Sequence, residues 1–483
     1  MMGRSDFLHT SFLNRLGFEP TPCQDALLRK MADFISGDDG DILVVNGYAG
    51  TGKTTAMASV TGVLRELKCK CVLLAPTGRA AKVLSGYAGQ PAYTIHKHIY
   101  RQKAVTSDGF GQFNLAPNRD KDTLFVVDEV SLIGIDSDRL QSTAAFGSGN
   151  LLEDLVSFVR NGAGCKVVLI GDSAQLPPVG MDVSPALSED YMKMFGGVSF
   201  ATLTTVVRQK QESGILHNAT VVRNLISEMA SCFVDSIPYE ELCLEISRFD
   251  DIGRIAGGDL IESLSDAFSR YGEDEVVVLC RSNRRAIKYN LGIRSMVQFK
   301  EEQLVRGDKL MIVKNCYQFL EGIEGLDYIA NGDIAKLVKI SKYEERYGLH
   351  FAEARLSFPD YDDQEIVAKV ILDTLDSESA SLTYEQSNQL YMGVNEDYAH
   401  IASKKKRYDA VREDKYYNAL QLKYAQALTC HKSQGGQWDC VLIDNAFWQD
   451  GLTVDDLKWL YTALTRAKVK VFLVNFKDEL FAD

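Results

Sequence analysis

The chain alternates short apolar runs with longer stretches in which apolar residues recur at helical spacing. Ile42-Leu43-Val44-Val45, Cys71-Val72-Leu73-Leu74-Ala75, Thr123 to Val127 and Lys166 to Ile170 read as buried parallel strands, and Ala201-Thr202-Leu203 adds one more. Helices are predicted between them, from Thr54 to Leu67 and onward from Pro76-Thr77-Gly78-Arg79-Ala80-Ala81-Lys82. Repeated strand–helix units predict a parallel sheet covered on both faces, with ligands at the strand C-terminal ends. A second alternation follows later. It has strands at Val276 to Cys280, Val441 to Ile443 and Val469 to Val474, and helices from Asn283 to Ile293 and Val454 to Ala467. The stretch between the two, Gln209 to Asp259, is acidic and irregular and reads as a connection.

Three segments depart from this rhythm. Phe7, Phe12, Leu13, Leu16 and Phe18 predict a small packed N-terminal element. A helix to Ile35 follows, capped by Thr21 with Pro22 in its first turn. Between Tyr100 and Thr123, Ser107 to Phe113 reads as the tip of an inserted hairpin with an exposed aromatic at Phe110. Gly307 to Val313 and Ile334 to Ile340, with a turn at Asn331-Gly332-Asp333, predict a small antiparallel barrel. Residues 341–420 read as its charged, Tyr-rich extension, including Lys404-Lys405-Lys406-Arg407. The resulting division is an N-terminal helical element (1–40), a first sheet domain (41–210, insert 97–122), a linker and the start of the second sheet domain (211–300), the barrel (301–420) and the rest of the second sheet domain (421–483).

Composition narrows the class. The 483 residues are 46% hydrophobic and 25% charged, as in a soluble globular protein. No apolar run is long enough to span a bilayer, and Met1 to Thr10 lacks a secretory leader's basic head and apolar core. A cytoplasmic location is expected. The ten Cys form no C-x-x-C pair and read as reduced thiols; Cys69-x-Cys71 opens an apolar strand and reads as strand rather than metal site. The net charge of −13 argues against a nonspecific basic coat, but leaves room for a local groove tracking a single strand.

Candidate chemistry sits at the strand ends. Asn46-Gly47-Tyr48-Ala49-Gly50-Thr51-Gly52-Lys53-Thr54 fits the phosphate-cradling pattern G-x-x-x-x-G-K-[ST], between strand and helix. Gly47, Gly50 and Gly52 let the backbone turn so that N–H groups from Ala49 to Thr55 converge on one anion at a helix N-terminus. Lys53 can reach the β- and γ-phosphates, and Thr54 can hold Mg²⁺. Asp128-Glu129 follows a strand; Asp128 suits Mg²⁺, and Glu129 suits the orientation of a water. Gln175, in Gly171-Asp172-Ser173-Ala174-Gln175-Leu176-Pro177-Pro178-Val179-Gly180, can bond both a γ-phosphate and the attacking water. Gln24 can read a purine edge or be a solvated helix residue, and its spacing leaves both readings open.

Together these motifs resemble superfamily 1 DNA helicases of the RecD- and Dda-like (5′→3′, 1B) branch, from Thr21 to Val474. The shared residues are Gln24, the Gly47–Thr54 loop, Ala75 to Ala81, Thr94-Ile95-His96, Asp128 to Ser131, Gly171 to Gly180, Val207-Arg208-Gln209, Leu428 to Gly435 and Tyr461 to Ala467. The resemblance implies two RecA-like motor domains, ATP and Mg²⁺ as cofactors, and an adenine-reading Gln24. It makes Arg208 and Arg466 arginine fingers. It implies single-stranded DNA contacts at Pro76, Thr77, Gly78, Arg79, His96, Thr429, His431 and Ser433. Taken singly, His96 and His431 read as ordinary loop or core histidines. Gln175-Leu176-Pro177-Pro178, with the barrel ahead of Thr429, implies 5′→3′ movement, and the hairpin around Phe110 a strand-separating pin, with the barrel bracing it or guiding DNA. Ala335 and Gly436-Gln437-Trp438 depart from the family pattern; Trp438 reads as core rather than as a base-stacking platform. The expected function is an ATP-dependent helicase acting as a monomer on single-stranded and forked or tailed duplex DNA, with replication or recombination proteins as partners. Two alternatives stay open: a DNA-stimulated translocase inside a larger complex, and a nucleotide-gated clamp without processive motion.

Overall fold

The computed structural model describes residues 3–38, 40–102, 111–135, 144–207, 213–316, 318–320 and 329–482. The first sheet has six strands in the order Ala92–Thr94, Cys71–Ala75, Leu124–Val127, Lys166–Gly171, Ile42–Gly47 and Val198–Leu203. Every pairing is parallel, so all six C-terminal ends fall on one edge. The strands are apolar on both faces for a packing reason. Leu43, Val45, Val126, Val168 and Ile170 join one core cluster with the N-terminal helices. Ile42, Val44, Phe125, Val127, Val167 and Leu169 join a second cluster on the opposite face. Each such side chain, fully buried, contributes about 1.5–3 kcal/mol.

Helices Arg4–Leu16 and Pro22–Ser36 lie on the first face, where Phe12 and Leu16 are buried. Phe7 and Phe18 are exposed instead, outside the packed element expected of them.

The second sheet has five parallel strands in the order Ile252–Ile255, Ala467–Val474, Trp438–Asp444, Val276–Cys280 and Ala427–Thr429. The stretch expected to be an irregular connection is largely regular. It holds the 19-residue helix Gly214–Cys232 and the edge strand Ile252–Ile255. Ile215, Ala219, Val222, Ile226 and Met229 recur at three- and four-residue intervals and bury one stripe against the second domain.

Five strands, Lys309–Ile312, Ile334–Arg346, Leu349–Phe358, Gln364–Ile371 and Leu420–Tyr424, form a closed barrel. Residues 341–371 are therefore barrel wall, while 372–419, which carry two helices, extend from it, and the wall ends at Tyr424. Alternation across these strands buries Leu337, Ala352, Ala354, Leu356, Ala368 and Val370 inside. Tyr347 and Gly348, both at positive φ, make the tight turn between two of them. Ala335 is fully buried on its strand, opposite Leu310. Helices Tyr384–Asp397 and Lys404–Glu413 precede the last strand, and Lys404, Lys405 and Lys406 are exposed on the second of them.

Within the insert, Tyr100–Gln102 and Gly111–Leu115 pair antiparallel, and Ala144–Phe146 adds a third strand. Phe110 lies outside the described residues. Among the described residues, no helix is long and apolar enough to cross a membrane.

Candidate nucleotide and nucleic-acid site

The loop between Ile42–Gly47 and helix Lys53–Glu66 turns at Gly50 (φ 74°) and Gly52 (φ 82°), a backbone region that favours glycine. A Cβ on Gly52 would stand 2.3 Å from Gln24 Nε2, and one on Gly47 2.6 Å from Lys53 Cδ. The cradle therefore has no room for side chains at these points. Lys53 Nζ donates to Gly47 O and lies 3.5 Å from Asp172 Oδ2. Thr54 is half-buried and Thr55 exposed at the helix start. Thr51 is fully buried, and its hydroxyl donates to Tyr48 O at 2.7 Å.

Gln24 is fully buried rather than solvated. Its Oε1 accepts from Thr21 N at 3.0 Å as half of a capping box, and its Nε2 donates to Thr51 O at 3.0 Å. It braces the underside of the loop.

Asp128 and Glu129 follow the neighbouring strand. Glu129 sits at φ 56°, a strained position for a non-glycine residue, and donates its N–H to Asp128 Oδ1 at 2.9 Å. Burial, and then the Glu129 charge, push the Asp128 carboxyl above its ordinary range. Among the described residues, no cationic side chain pairs with it. Thr54 and Asp128 supply oxygen ligands of the kind a hard divalent cation takes, so the donor set fits Mg²⁺. Gln175 is buried, and its Oε1 has no hydrogen-bond partner among the described residues. An orphaned buried acceptor suits a donor such as water.

The second sheet domain clasps this edge. Leu176 N donates to Thr462 Oγ1 at 2.7 Å, and Gln434 Nε2 donates to Leu176 O at 2.7 Å. A Cβ on Gly50 would meet Leu216 Cδ2 at 3.0 Å. Arg223, from the helix that composition concealed, lies 4.7 Å over the Tyr48 ring. Tyr461 Oη accepts from Ala49 N at 2.8 Å. Nothing local in the sequence marks Arg223 or the Tyr461 hydroxyl, because both act across the domain interface.

The expected arginine fingers fare differently. Arg208 lies outside the described residues. Arg466 is buried, and its guanidinium donates to Thr462 O, Gly436 O and Thr465 Oγ1, all within its own domain. The structure does not bring it to the phosphate loop.

The residues expected to touch DNA are likewise divided. Thr77 caps helix Gly78–Ala88 by accepting from Ala80 N, which leaves its hydroxyl proton free to donate; Pro76 beside it is half-buried. Gly435 (φ 74°) of the second domain packs so close that a Cβ there would stand 3.2 Å from Thr77 Oγ1. His431 is exposed, Thr429 half-buried. Arg79 is stacked 4.0 Å over Trp438. Trp438 is itself core, as expected. Ser433 is fully buried and donates to Cys430 O. Arg79 and Ser433 are thus interface and turn residues in this structure. Burial pushes His96 down to about 4, so it is neutral at physiological pH. Gly78 faces the barrel, where a Cβ would stand 2.5 Å from Tyr361 Oη. The barrel's contact is thus with the helix after Thr77.

A glycine cradle, adjacent strand-end carboxylates and a second parallel sheet closing over them define a P-loop nucleotide-binding protein with two RecA-like domains. Residues 24–228 match the family described as AAA domain, and residues 424–474 match the UvrD-like helicase C-terminal domain. Over 138 residues the chain is 33% identical to the ATP-dependent RecD2 DNA helicase of Deinococcus radiodurans, covering 29% of this chain and 16% of that one. Over 186 residues it is 30% identical to the ATP-dependent DNA helicase dda of Enterobacteria phage T4, covering 38% of each. The solved Pif1 helicase from Bacteroides in complex with ADP-AlF3 and ssDNA is 16% identical, with a TM-score of 0.47, covering 96% of this chain and 94% of that one. The chain is related to the superfamily 1 helicases of the RecD- and Dda-like branch. The matched stretches span well under half the length of either curated relative.

Proposed function

We propose that the chain is an ATP-dependent DNA helicase that moves 5′→3′ along single-stranded DNA. The observation that carries this reading is the clasp: the phosphate loop of one sheet domain is built against residues of the other. Nucleotide chemistry there acts directly on the spacing of two bodies that both carry candidate strand contacts. The names of the curated relatives support the same activity, and the Gln175-Leu176-Pro177-Pro178 run with the barrel ahead of Thr429 supports the direction.

In this reading the loop amides and Lys53 bind and neutralise the triphosphate, and Thr54 and Asp128 hold Mg²⁺. Magnesium, when bound, offsets charge on the β- and γ-phosphates. Glu129 orients the attacking water and takes its proton, while Gln175 accepts a hydrogen bond from the same water. Arg208 stabilises charge on the transferring phosphoryl group. Arg466 does so only after leaving its bonds to Thr462 O and Gly436 O. Gln24 supports the loop and reaches adenine only by releasing Thr51 O. Thr77 and His431 hold the strand from opposite domains, contacting phosphate without sequence readout. Phe110 is the pin that parts the duplex, and forked or tailed DNA is the substrate. The protein works in the cytoplasm as a monomer, with replication or recombination proteins as partners.

A strand-displacement assay with both tail polarities tests this. Unwinding that requires a 5′ single-stranded tail is expected. Unwinding only from a 3′ tail overturns the direction, and ATPase activity indifferent to single-stranded DNA overturns the helicase reading.

A further inference from the structure

Tyr461 belongs to helix Val454–Leu464 of the second domain, and its side chain is 1% exposed. Its ring packs in that domain's core, but its hydroxyl faces the other domain. There it makes two bonds. It accepts from Ala49 N, an amide of the phosphate loop, at 2.8 Å, and donates to Asp172 Oδ2 at 2.7 Å. That same carboxylate oxygen is the one 3.5 Å from Lys53 Nζ. The other oxygen, Oδ1, accepts from Ala174 N at 3.0 Å. Asp172 is 1% exposed, so its orientation is set by these partners and not by solvent. One residue further along the helix, Thr462 holds Leu176 N, next to Gln175.

We propose that Tyr461 is a positioning residue for ATP hydrolysis: its hydroxyl aims Asp172 at Lys53 and fixes the Ala49 amide, so the phosphate loop is set for reaction only when the second domain is docked. The inference rests on the ATPase reading above and adds a residue to which the family resemblance assigns no role. Lys53 has two acceptors available, Gly47 O and Asp172. Without the phenol, Asp172 loses the one donor that the second domain gives it among the described residues and can turn away from the lysine. The ammonium is then free to settle on Gly47 O, away from the direction Asp172 defines. A hydroxyl suits this place because it donates to the carboxylate and accepts from the amide at once, which no single-function group does. Burial beside Asp172 also keeps the phenol protonated, far above its ordinary titration range. The donated hydrogen is therefore present at every working pH.

The experiment is steady-state ATPase kinetics on the full chain with saturating single-stranded DNA, comparing wild type with Tyr461→Phe. The variant keeps the ring and therefore the core, which a thermal melt within about 2 °C of wild type verifies. The expected result is a kcat about tenfold lower, with KM for ATP changed less than twofold, because the loop's direct phosphate contacts remain. In an Asp172→Asn background the same substitution should lower kcat by clearly less than tenfold, since the Asp172 arm is already broken and only the Ala49 contact remains to be lost. A kcat within twofold of wild type overturns the proposal, and so does a loss confined to KM. Losses that multiply in the double variant also overturn it, and this last comparison needs no assumption about folding of either single variant. Absence of ATPase in the wild type would overturn the proposed function itself, a result distinct from each of these.

Discussion

The two parallel sheets of this protein end differently. At the C-terminal edge of the first, the chain turns through positive-φ glycines into an open cradle, and the carboxyl of Asp128 has no paired cation among the described residues. At the same edge of the second, Ser282 caps helix Asn283–Gly292 in the ordinary way. There Asp444, 2% exposed, is gripped by the Arg285 guanidinium and by Tyr289 Oη at 2.7 Å. Arg281 is likewise paired with Asp456. The first edge pairs Asp172 with Lys53 but leaves Asp128 without a cationic partner among the described residues, whereas the second closes Asp444 and Asp456 onto arginines. A desolvated carboxylate with no cationic partner among the described residues is costly to hold ionised, which supports the proposal that Asp128 takes an external cation. Among the described residues the second edge pairs Asp444 and Asp456 with arginines, which is consistent with the proposal that this domain closes over the site and holds none of its own.

The largest effect expected is at the cradle. Lys53→Ala removes the loop's cation and should lower ATP turnover by about 10²–10³-fold or more. Turnover near wild type would erase the distinction between the two edges. Next comes a paired test, Asp128→Asn against Asp444→Asn. The folded environment raises the Asp128 carboxyl, so its ionised form weighs against folding at neutral pH and relief comes as pH falls. Asp128→Asn should therefore leave the melting temperature unchanged or higher, while cutting Mg-dependent turnover by about 10²-fold. Asp444→Asn should do the reverse. It weakens a charged pair and costs about 1.5–3 kcal/mol in a denaturant titration, while the folded fraction still binds nucleotide. If both lose stability, or both lose turnover alone, the edges are not specialised as described.

What could be read from the chain follows the range of the interactions. The phosphate loop was legible because its chemistry lies within nine consecutive residues, and both sheets because apolar strand runs are local. Helix Gly214–Cys232 was hidden by acidic neighbours, although Ile215, Ala219, Val222, Ile226 and Met229 carry its stripe in plain sequence. The barrel's true extent was obscured because strand Leu349–Phe358 alternates apolar with charged side chains, as a wall between core and solvent must. The packing partners that Gln24, Arg79, Ser433 and Arg466 have in this structure were not legible. Gln24 and Arg79 are decided by where the Thr51 carbonyl and the Trp438 ring come to rest from distant segments, while Ser433 and Arg466 close mainly on neighbours within four residues. Tyr461 belongs with them, since its partners Ala49 and Asp172 lie in the other domain.

Smaller effects test whether the asymmetry of the edges extends to the DNA strand. Phe110→Ala should spare DNA-stimulated ATPase and lower unwinding several-fold, measured on a forked duplex with a 5′ tail. Unchanged unwinding would place the pin elsewhere. The smallest expected effects are at the two grips, Thr77 on the first domain and His431 on the second. In the proposed function each supplies about one hydrogen bond to a backbone phosphate, so Thr77→Val and His431→Ala should each weaken single-stranded DNA binding by about two- to tenfold. Thr77 carries a complication, because its oxygen also caps helix Gly78–Ala88, and losing a cap costs about 1 kcal/mol. Thr77→Ser keeps both the cap and the donor, and should bind as wild type does; a deficit there would assign the Thr77 effect to its methyl packing instead. The comparison is then made by fluorescence anisotropy with and without a non-hydrolysable ATP analogue. If only the first edge answers directly to nucleotide, the two substitutions should weaken binding unequally in the two states, one mattering more with the analogue and the other without it. Equal losses in both states would mean that the strand is held by one fixed surface, and that the difference between the edges ends at the phosphates.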